Sequence, residues 1–366
     1  MKFYPLHRLI FISLFIVVGC SENPTNQNEK PDKPAAPPST FRIDVQNDNG
    51  TSAYKLGDTI QMNLVRTDSS LELASVKFYM DNELISDGSS ISMNWNLPTE
   101  DLTVGSRRFR LETTFTNGQV ENKFKSITLL AQKAPQSMEY RVIEDYPHQT
   151  DAYTQGFFYE DGYYYESTGL NRRSSLRYVD MKTGEIKRSH ILPSEIFAEG
   201  LTVVDNKVYQ ISWRNRKGFV YDKNTFELIN EFSYNTEGWG LTFDGQYLIM
   251  SDGSHNLYYL DPNSFSLVKT LEVYNHTGRV TQLNELEYVN GEIWANVYGD
   301  DYIIAIAPET GEVVKYVPLG DIFDRRSYSG RTDVLNGIAY ISENDEFLLT
   351  GKLWPRVYRV KLSPSE

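Results

Sequence analysis

The sequence predicts an all-β protein: a five-bladed β-propeller preceded by a small immunoglobulin-like β-sandwich. Three observations lead there. One short phrase recurs five times between residues 152 and 362. Aromatic residues make up 13%, with 25 Tyr and 18 Phe, a load that favours strands. Short alternating runs are separated throughout by Asp-Gly, Asn-Gly and similar turn pairs.

The recurring phrase is a polar or aromatic residue followed by a short apolar strand. Its copies open at Gln155, Glu199, Trp239, Asn284 and Asn336, at intervals of 44, 40, 45 and 52 residues. A turn follows each (Asp161-Gly162, Asp205-Asn206, Asp244-Gly245, Asn290-Gly291, Asn344-Asp345), then a second strand such as KVYQISW or EIWANVY. Third strands are read in LRYVDMKTGEI, GFVYDKNTFEL, LYYLDPNSFSL and IIAIAPETGEV, with a fourth in LINEFSY or LVKTLEV. Four strands in 40–50 residues mark a propeller blade. The fifth copy stops after VYRVKL, at Leu362, while EYRVIEDY (Glu139–Tyr146) precedes the first copy without a partner. Pairing of that segment with Val357–Leu362 is predicted to close the ring and remove its open edges. The propeller is bounded at 139–364.

Residues 41–135 carry short strands at Thr59–Val65, Ser75–Met80, Arg108–Phe115 and Val120–Leu130, with turns at Asp81-Asn82 and Thr116-Asn117-Gly118. This reads as the sandwich, a spacer or docking module without a catalytic constellation.

The first 19 residues read as an export signal. A basic start (Lys2, Arg8) is followed by an apolar run from Leu9 to Val18, too short for a permanent membrane span. Val17-Val18-Gly19-Cys20 resembles the lipobox of bacterial lipoproteins, which implies cleavage before Cys20 and lipidation of that residue. Residues 20–40 then form a disordered tether, with five prolines and only Ala as apolar residues after the cysteine. The expected location is the bacterial cell envelope, lipid-anchored, at the outer membrane because Ser21 gives no Asp retention cue. Cys20 is the one cysteine, so the mature chain has no disulfide and no thiolate nucleophile apart from it.

Net charge is −13, from 36 Lys+Arg against 49 Asp+Glu, which argues against a nucleic-acid partner. His7, His148, His190, His255 and His276 fall at unrelated places without metal-ligand spacing, and no metal or other cofactor is expected. A monomer is expected. Asp180, Asp222 and Asp261 occupy matched turn positions and read as turn-formers. Trp294 and Trp354 read as packing residues; Glu166, Asp252, Glu285 and Glu287 read as ladder or turn partners.

In a propeller the first strand of each blade lines the central channel, so the five opening residues converge. Four residue types stand there and only Glu199 is ionisable, the pattern of a specific small-molecule pocket. The ends of the second strands add Glu166, Trp213, Asp252, Tyr298 and Lys352.

The phrases TQG (154–156), YESTGL (165–170), FAEGL (197–201), EGWGLT (237–242), SDGS (251–254), LNELEY (283–288), WANVY (294–298), LNGIAY (335–340) and TGKLWP (350–355) resemble, in order, the plant and bacterial glutamine cyclotransferases. These are metal-independent glutaminyl-peptide cyclotransferases of the papaya-latex type. The resemblance covers 139–362 and not the front domain. It implies a five-bladed propeller that converts N-terminal glutamine of peptides or proteins to pyroglutamate with loss of ammonia. The catalytic acid it implies is Glu199. The aromatic pocket falls on Tyr153, Phe197, Trp213, Trp239 and Tyr298, and the polar contacts on Gln155, Asn284 and Lys352. Tyr153 replaces the family's usual Phe and Tyr298 its frequent Trp, so pocket shape is where this chain departs. A catalytically idle propeller that binds peptides or glycans at the cell surface is the alternative; retention of Glu199 with its neighbours favours the enzyme.

Overall fold

Alternating apolar runs bounded by turn residues form strands throughout, and the computed structural model contains no helix among its described residues, 40–46, 54–87 and 92–365. The export signal and Cys20, with the tether as far as residue 39, lie outside the described residues.

Three of the repeats each fold into an antiparallel four-stranded sheet in sequence order. The first is Thr154–Glu160, Tyr163–Thr168, Ser175–Asp180 and Ile186–Ile191. Its opening hairpin turns at Asp161 (φ 50°) and Gly162 (φ 83°), the left-handed pair that a two-residue turn between twisted strands requires. The second runs from Ala198–Val204 to Leu228–Ser233, and the third from Leu241–Phe243 to Leu267–Glu272. The long third-strand phrases divide at their acid. Asp180, Asp222 and Asp261 take the backbone N–H of Thr183 (2.9 Å), Thr225 (2.9 Å) and Ser264 (2.7 Å), making the expected turns, and the last residues of each phrase begin the fourth strand.

The fourth and fifth repeats are fused through the segment ahead of the first. Gln136–Pro147 pairs antiparallel with Arg356–Pro364, the pairing the sequence predicts, with Tyr146 opposite Val357 and Tyr140 opposite Leu362. Its first residues also pair in parallel with the fourth repeat's outer strand, Gln136 opposite Lys315, an attachment with no local signal in the sequence. One eight-stranded sheet results.

The first strands neighbour one another in a closed circuit: Thr154–Glu160, Ala198–Val204, Leu241–Phe243, Leu283–Val289, Leu335–Ile341 and back to Thr154–Glu160. Between consecutive sheets lies a separate hydrophobic cluster. Leu201 packs between the first and second, Leu248 between the second and third, Leu286 between the third and fourth, Leu349 between the fourth and fifth. Phe157, Tyr164, Leu348 and Val357 join the fifth to the first. Each such side chain contributes about 1.5–3 kcal/mol on burial, so the circuit is held by side chains at every junction. At the centre the backbones nearly touch: a Cβ on Gly156 or Gly200 would collide with the next first strand's backbone. In the fourth copy this glycine is replaced by Glu285. Its buried carboxylate group accepts N–H bonds from Phe157 (3.1 Å) and Ile338 (2.8 Å), tying the fourth first strand to the first and fifth. This is a cross-ring tie rather than the ladder role expected.

Ahead of the circuit, a three-stranded sheet (Phe41–Gln46, Thr59–Arg66, Asn94–Pro98) and a five-stranded sheet that includes Leu73–Met80, Gly105–Phe115 and Val120–Leu130 share a core around Ile60, Met62, Phe78, Phe109 and Leu111. Tyr274, from the connection between the third and fourth repeats, packs into that same core. Val104 N–H donates to Thr310 O (2.8 Å) and Ser106 N–H to Glu272 (2.8 Å), so the two parts dock by backbone and side chain alike.

Candidate active site

Four of the first strands carry a register shift where they open, at Thr154/Gly156, Ala198/Leu201, Leu283/Leu286 and Leu335/Ile338. Such bulges re-aim side chains and recur beside functional sites. Here they turn the opening residues toward the axis. A pocket of about 260 Å³ stands there, lined by Tyr153, Gln155, Phe197, Glu199, Trp213, Trp239, Asn284, Tyr298 and Lys352. All nine residues expected at the site therefore meet in one cavity. Asn336, the fifth opening residue, stands behind the wall and donates to Thr154 O (2.9 Å) and Gln155 Oε1 (3.3 Å). Among the second-strand ends, Glu166 and Asp252 do not line the pocket. Glu166 is buried against His148 (2.9 Å), and Asp252 accepts from the Tyr258 hydroxyl (2.8 Å), so both brace strands. Trp294 and Trp354 are packed in the cluster between the fourth and fifth sheets, as expected. His255 faces Glu272 at 3.2 Å, which accounts for its position.

The walls form a chain of aromatic rings. Tyr153 meets Phe197 edge-on at 6.3 Å, and Phe197 meets Trp213 at 5.6 Å. Trp239 meets Tyr298 at 5.6 Å. Two charged groups close the gaps. Glu237 Oε2 accepts the indole N–H of both Trp213 (2.7 Å) and Trp239 (3.2 Å). Opposite, the Lys352 ammonium lies 5.0 Å from the Tyr153 ring centre and 4.9 Å from that of Tyr298. Both distances suit cation–π attraction. Asp333 accepts the Tyr153 hydroxyl at 3.2 Å and steadies that corner.

Glu199 is 5% exposed, and no protein donor among the described residues bonds its carboxyl group. Burial pushes its pKa well above the usual carboxylate range; the Lys352 charge opposes this and Glu237 reinforces it. Burial likewise lowers the Lys352 pKa to about 8, against the pull of Glu199 and Asp333. Desolvation thus outweighs the mutual attraction of two groups that do not touch. Asn284 is 2% exposed and its Oδ1 is buried without a partner.

Glu237 and Asp333 were not foreseen. Glu237 lies in the EGWGLT phrase, two residues ahead of a wall tryptophan, and nothing in one sequence reveals that its carboxylate bridges to Trp213.

A buried carboxyl group of raised pKa in an aromatic pocket, with a cation and amides at its edge, has the groups that acid–base chemistry on a thin polar substrate needs. The sequence model of the glutamine cyclotransferase family matches residues 113–362, beginning within the front domain's last hairpin rather than after it. A glutaminyl-peptide cyclotransferase of Arabidopsis thaliana is 39% identical over 229 residues, 61% of this chain and 71% of the relative. The crystal structure of Myxococcus xanthus glutaminyl cyclase superposes with a TM-score of 0.59 at 32% identity, covering 63% of this chain and 100% of that one. The chain belongs to the glutamine cyclotransferase family, and its activity is glutaminyl-peptide cyclotransfer.

Proposed function

We propose that the protein is a lipid-anchored enzyme whose aromatic pocket folds the N-terminal glutamine of an exported peptide or protein into a ring, with Glu199 as general acid/base. The observation that carries the assignment is the position of Glu199: among the described residues it is the one carboxyl group lining the pocket, and it is buried without a protein hydrogen bond from any of them.

In the reaction the substrate's α-nitrogen attacks its own γ-carboxamide carbon, and the C–N bond to the amide nitrogen breaks to release ammonia. Nucleophile and electrophile are already in one molecule, so proximity is largely intrinsic to the substrate. Glu199 takes the proton the attacking amine must lose and delivers it to the departing nitrogen. Burial raises its pKa well above the usual carboxylate range and so narrows the gap to the substrate's amine, which eases transfer in both directions. Lys352 and the Asn284 amide supply donors for the developing oxyanion, and Gln155, held by Asn336, supplies a further amide. Tyr153, Phe197, Trp213, Trp239 and Tyr298 hold the glutamine side chain and keep out water, whose attack would yield glutamate.

We read the closed circuit of five first strands as a five-bladed β-propeller, supported by the five inter-sheet clusters. The two stacked sheets ahead of it we read as an immunoglobulin-like sandwich at 41–135, a rigid spacer. Cys20 anchors the chain to the outer membrane, and the enzyme acts there as a monomer. Mass spectrometry of Gln-Ala dipeptide incubated with the protein, with and without a chelator, tests the activity; loss of ammonia in both is expected. Retention of a Cys20→Ala variant in the membrane fraction would contradict the anchor.

A further inference from the structure

His148 is fully buried at the seam where the first repeat meets the last, and each of its ring nitrogens faces an oxygen. Nδ1 lies 2.8 Å from the Trp354 carbonyl oxygen, and Nε2 lies 2.9 Å from Glu166 Oε1. A carbonyl oxygen cannot donate, so Nδ1 carries a hydrogen. Glu166 is itself fully buried and receives the Thr154 hydroxyl on the same oxygen at 2.7 Å. The backbone follows the same seam: His148 N–H donates to Pro355 O (2.9 Å), and Leu353 N–H to Ala152 O (2.7 Å). Leu353 holds a left-handed φ of 62°, a conformation a leucine keeps only where its surroundings impose it. The residue before it is Lys352.

We propose that His148 is a positioning residue: as an imidazolium paired with Glu166, it clasps the loop that carries Tyr153 and leads into the strand of Gln155 to the turn carrying Lys352. The two segments come from opposite ends of the circuit, and the lysine side of the pocket forms only where they meet. Among the described residues the charged neighbour of the pair is Arg177 of the third strand, which stabilises the Glu166 charge and opposes the imidazolium; its guanidinium is itself held by Asp151 of the loop at 3.0 Å. Tyr164, 6.4 Å away ring to ring, is kept a neutral phenol by burial. Thr350 Oγ1 stands 3.4 Å from Nδ1. The Glu166 charge holds the His148 pKa above its ordinary value against burial, and the imidazolium holds that of Glu166 below its own. A buried charge pair that loses one partner is strongly destabilising, so the clasp is intact or broken, with little between.

The inference rests on the assignment of the pocket as the cyclotransferase site, and its test separates the two. Nitrogen-15 spectra of histidine-labelled full-length protein are expected to give His148 two protonated ring nitrogens at pH 7. A neutral His148 tautomer at pH 7 overturns the proposal whatever the activity. For His148→Gln and Glu166→Gln, matched to wild type in folded fraction by circular dichroism, kcat/KM for Gln-Ala is expected to fall about a hundredfold, the scale of a 1 Å misplacement. His190→Gln, at a ring tilted against that of Tyr221 and outside the pocket lining, is expected to keep wild-type activity. Wild-type kcat/KM in folded Glu166→Gln overturns the proposal. Should both clasp variants fail to fold, the wild-type spectrum still decides it.

Discussion

Trp213 donates its indole N–H to Glu237 Oε2 at 2.7 Å, and the same oxygen receives the Trp239 N–H at 3.2 Å. One half-exposed carboxylate thus sets the angle between two walls contributed by different repeats. The Glu237→Ala variant leaves both N–H groups without their acceptor, at a cost of about 1–3 kcal/mol if each stays desolvated. The expected outcome is a KM for Gln-Ala raised about tenfold with a smaller change in kcat, since the walls hold the substrate in ground and transition state alike. Steady-state ammonia release checks it.

The pH dependence follows from Glu199 and Lys352. Glu199 accepts a proton only when ionised, and its raised pKa places the acid limb of kcat/KM well above the usual carboxylate range. Lys352 loses its charge as pH rises through about 8, and the oxyanion then lacks its cation. A bell-shaped profile with an alkaline fall near pH 8 is expected. In Lys352→Gln the rate is lower and that fall is missing; a kcat/KM profile across pH 5–10 checks both.

Glu287 predicts a stability change with a definite sign. Its carboxyl group is 7% exposed and takes one N–H, from Tyr340 at 3.2 Å, and burial raises its pKa to about 8. The folded state therefore holds this proton more tightly than the unfolded chain. That stability is fully present below about pH 4.3, the unfolded value, and is lost as pH rises through about 8, at up to about 1.4 kcal/mol per unit. Glu287→Gln keeps an acceptor for Tyr340 and has no charge to bury. Its Tm is expected to match wild type near pH 4 and to exceed it at pH 8, as calorimetry at the two pH values can check.

Gly156 predicts a failure of folding. A Cβ there would meet the Gly200 and Leu201 backbone of the next first strand, and backbone at the centre of a closed circuit has nowhere to move. Gly156→Ala is expected to lose several kcal/mol, the scale of an overpacked core, and to be recovered insoluble or with a sharply lowered Tm. By contrast, Gly245→Ala has open space around its Cβ and costs only its turn strain at φ 96°.

Local signals made the circuit legible. Turn pairs, strand alternation and the five opening residues all repeat, and a repeat exposes equivalent positions without any structure. The site was legible for the same reason: first strands converge, so Glu199 and Trp239 meet although 40 residues separate them. Cross-repeat partnerships left no such trace. Glu285 fills a glycine position and reads as a ladder acid until its carboxyl group is seen to cap Phe157 and Ile338. His148 has no spacing to mark it, because its partners at 166 and 354 belong to opposite ends of the ring. Gln136–Pro147 was legible as a closing strand from its orphaned pattern, while its parallel contact with Lys315 depends on where the outer strand of the fourth sheet happens to pass.

The role of Glu199 is tested most directly by kcat/KM for ammonia release from Gln-Ala, measured for wild type and Glu199→Gln at pH 7.5. The substitution preserves shape in a pocket where no donor among the described residues bonds the carboxyl group, so the fold and the binding walls stay as they are. A fall of about 10²–10⁴-fold with KM nearly unchanged is predicted, the range for loss of a general acid–base group. Wild-type turnover in a folded Glu199→Gln protein would contradict the account, because among the described residues no other carboxyl group lines the pocket to shuttle the proton.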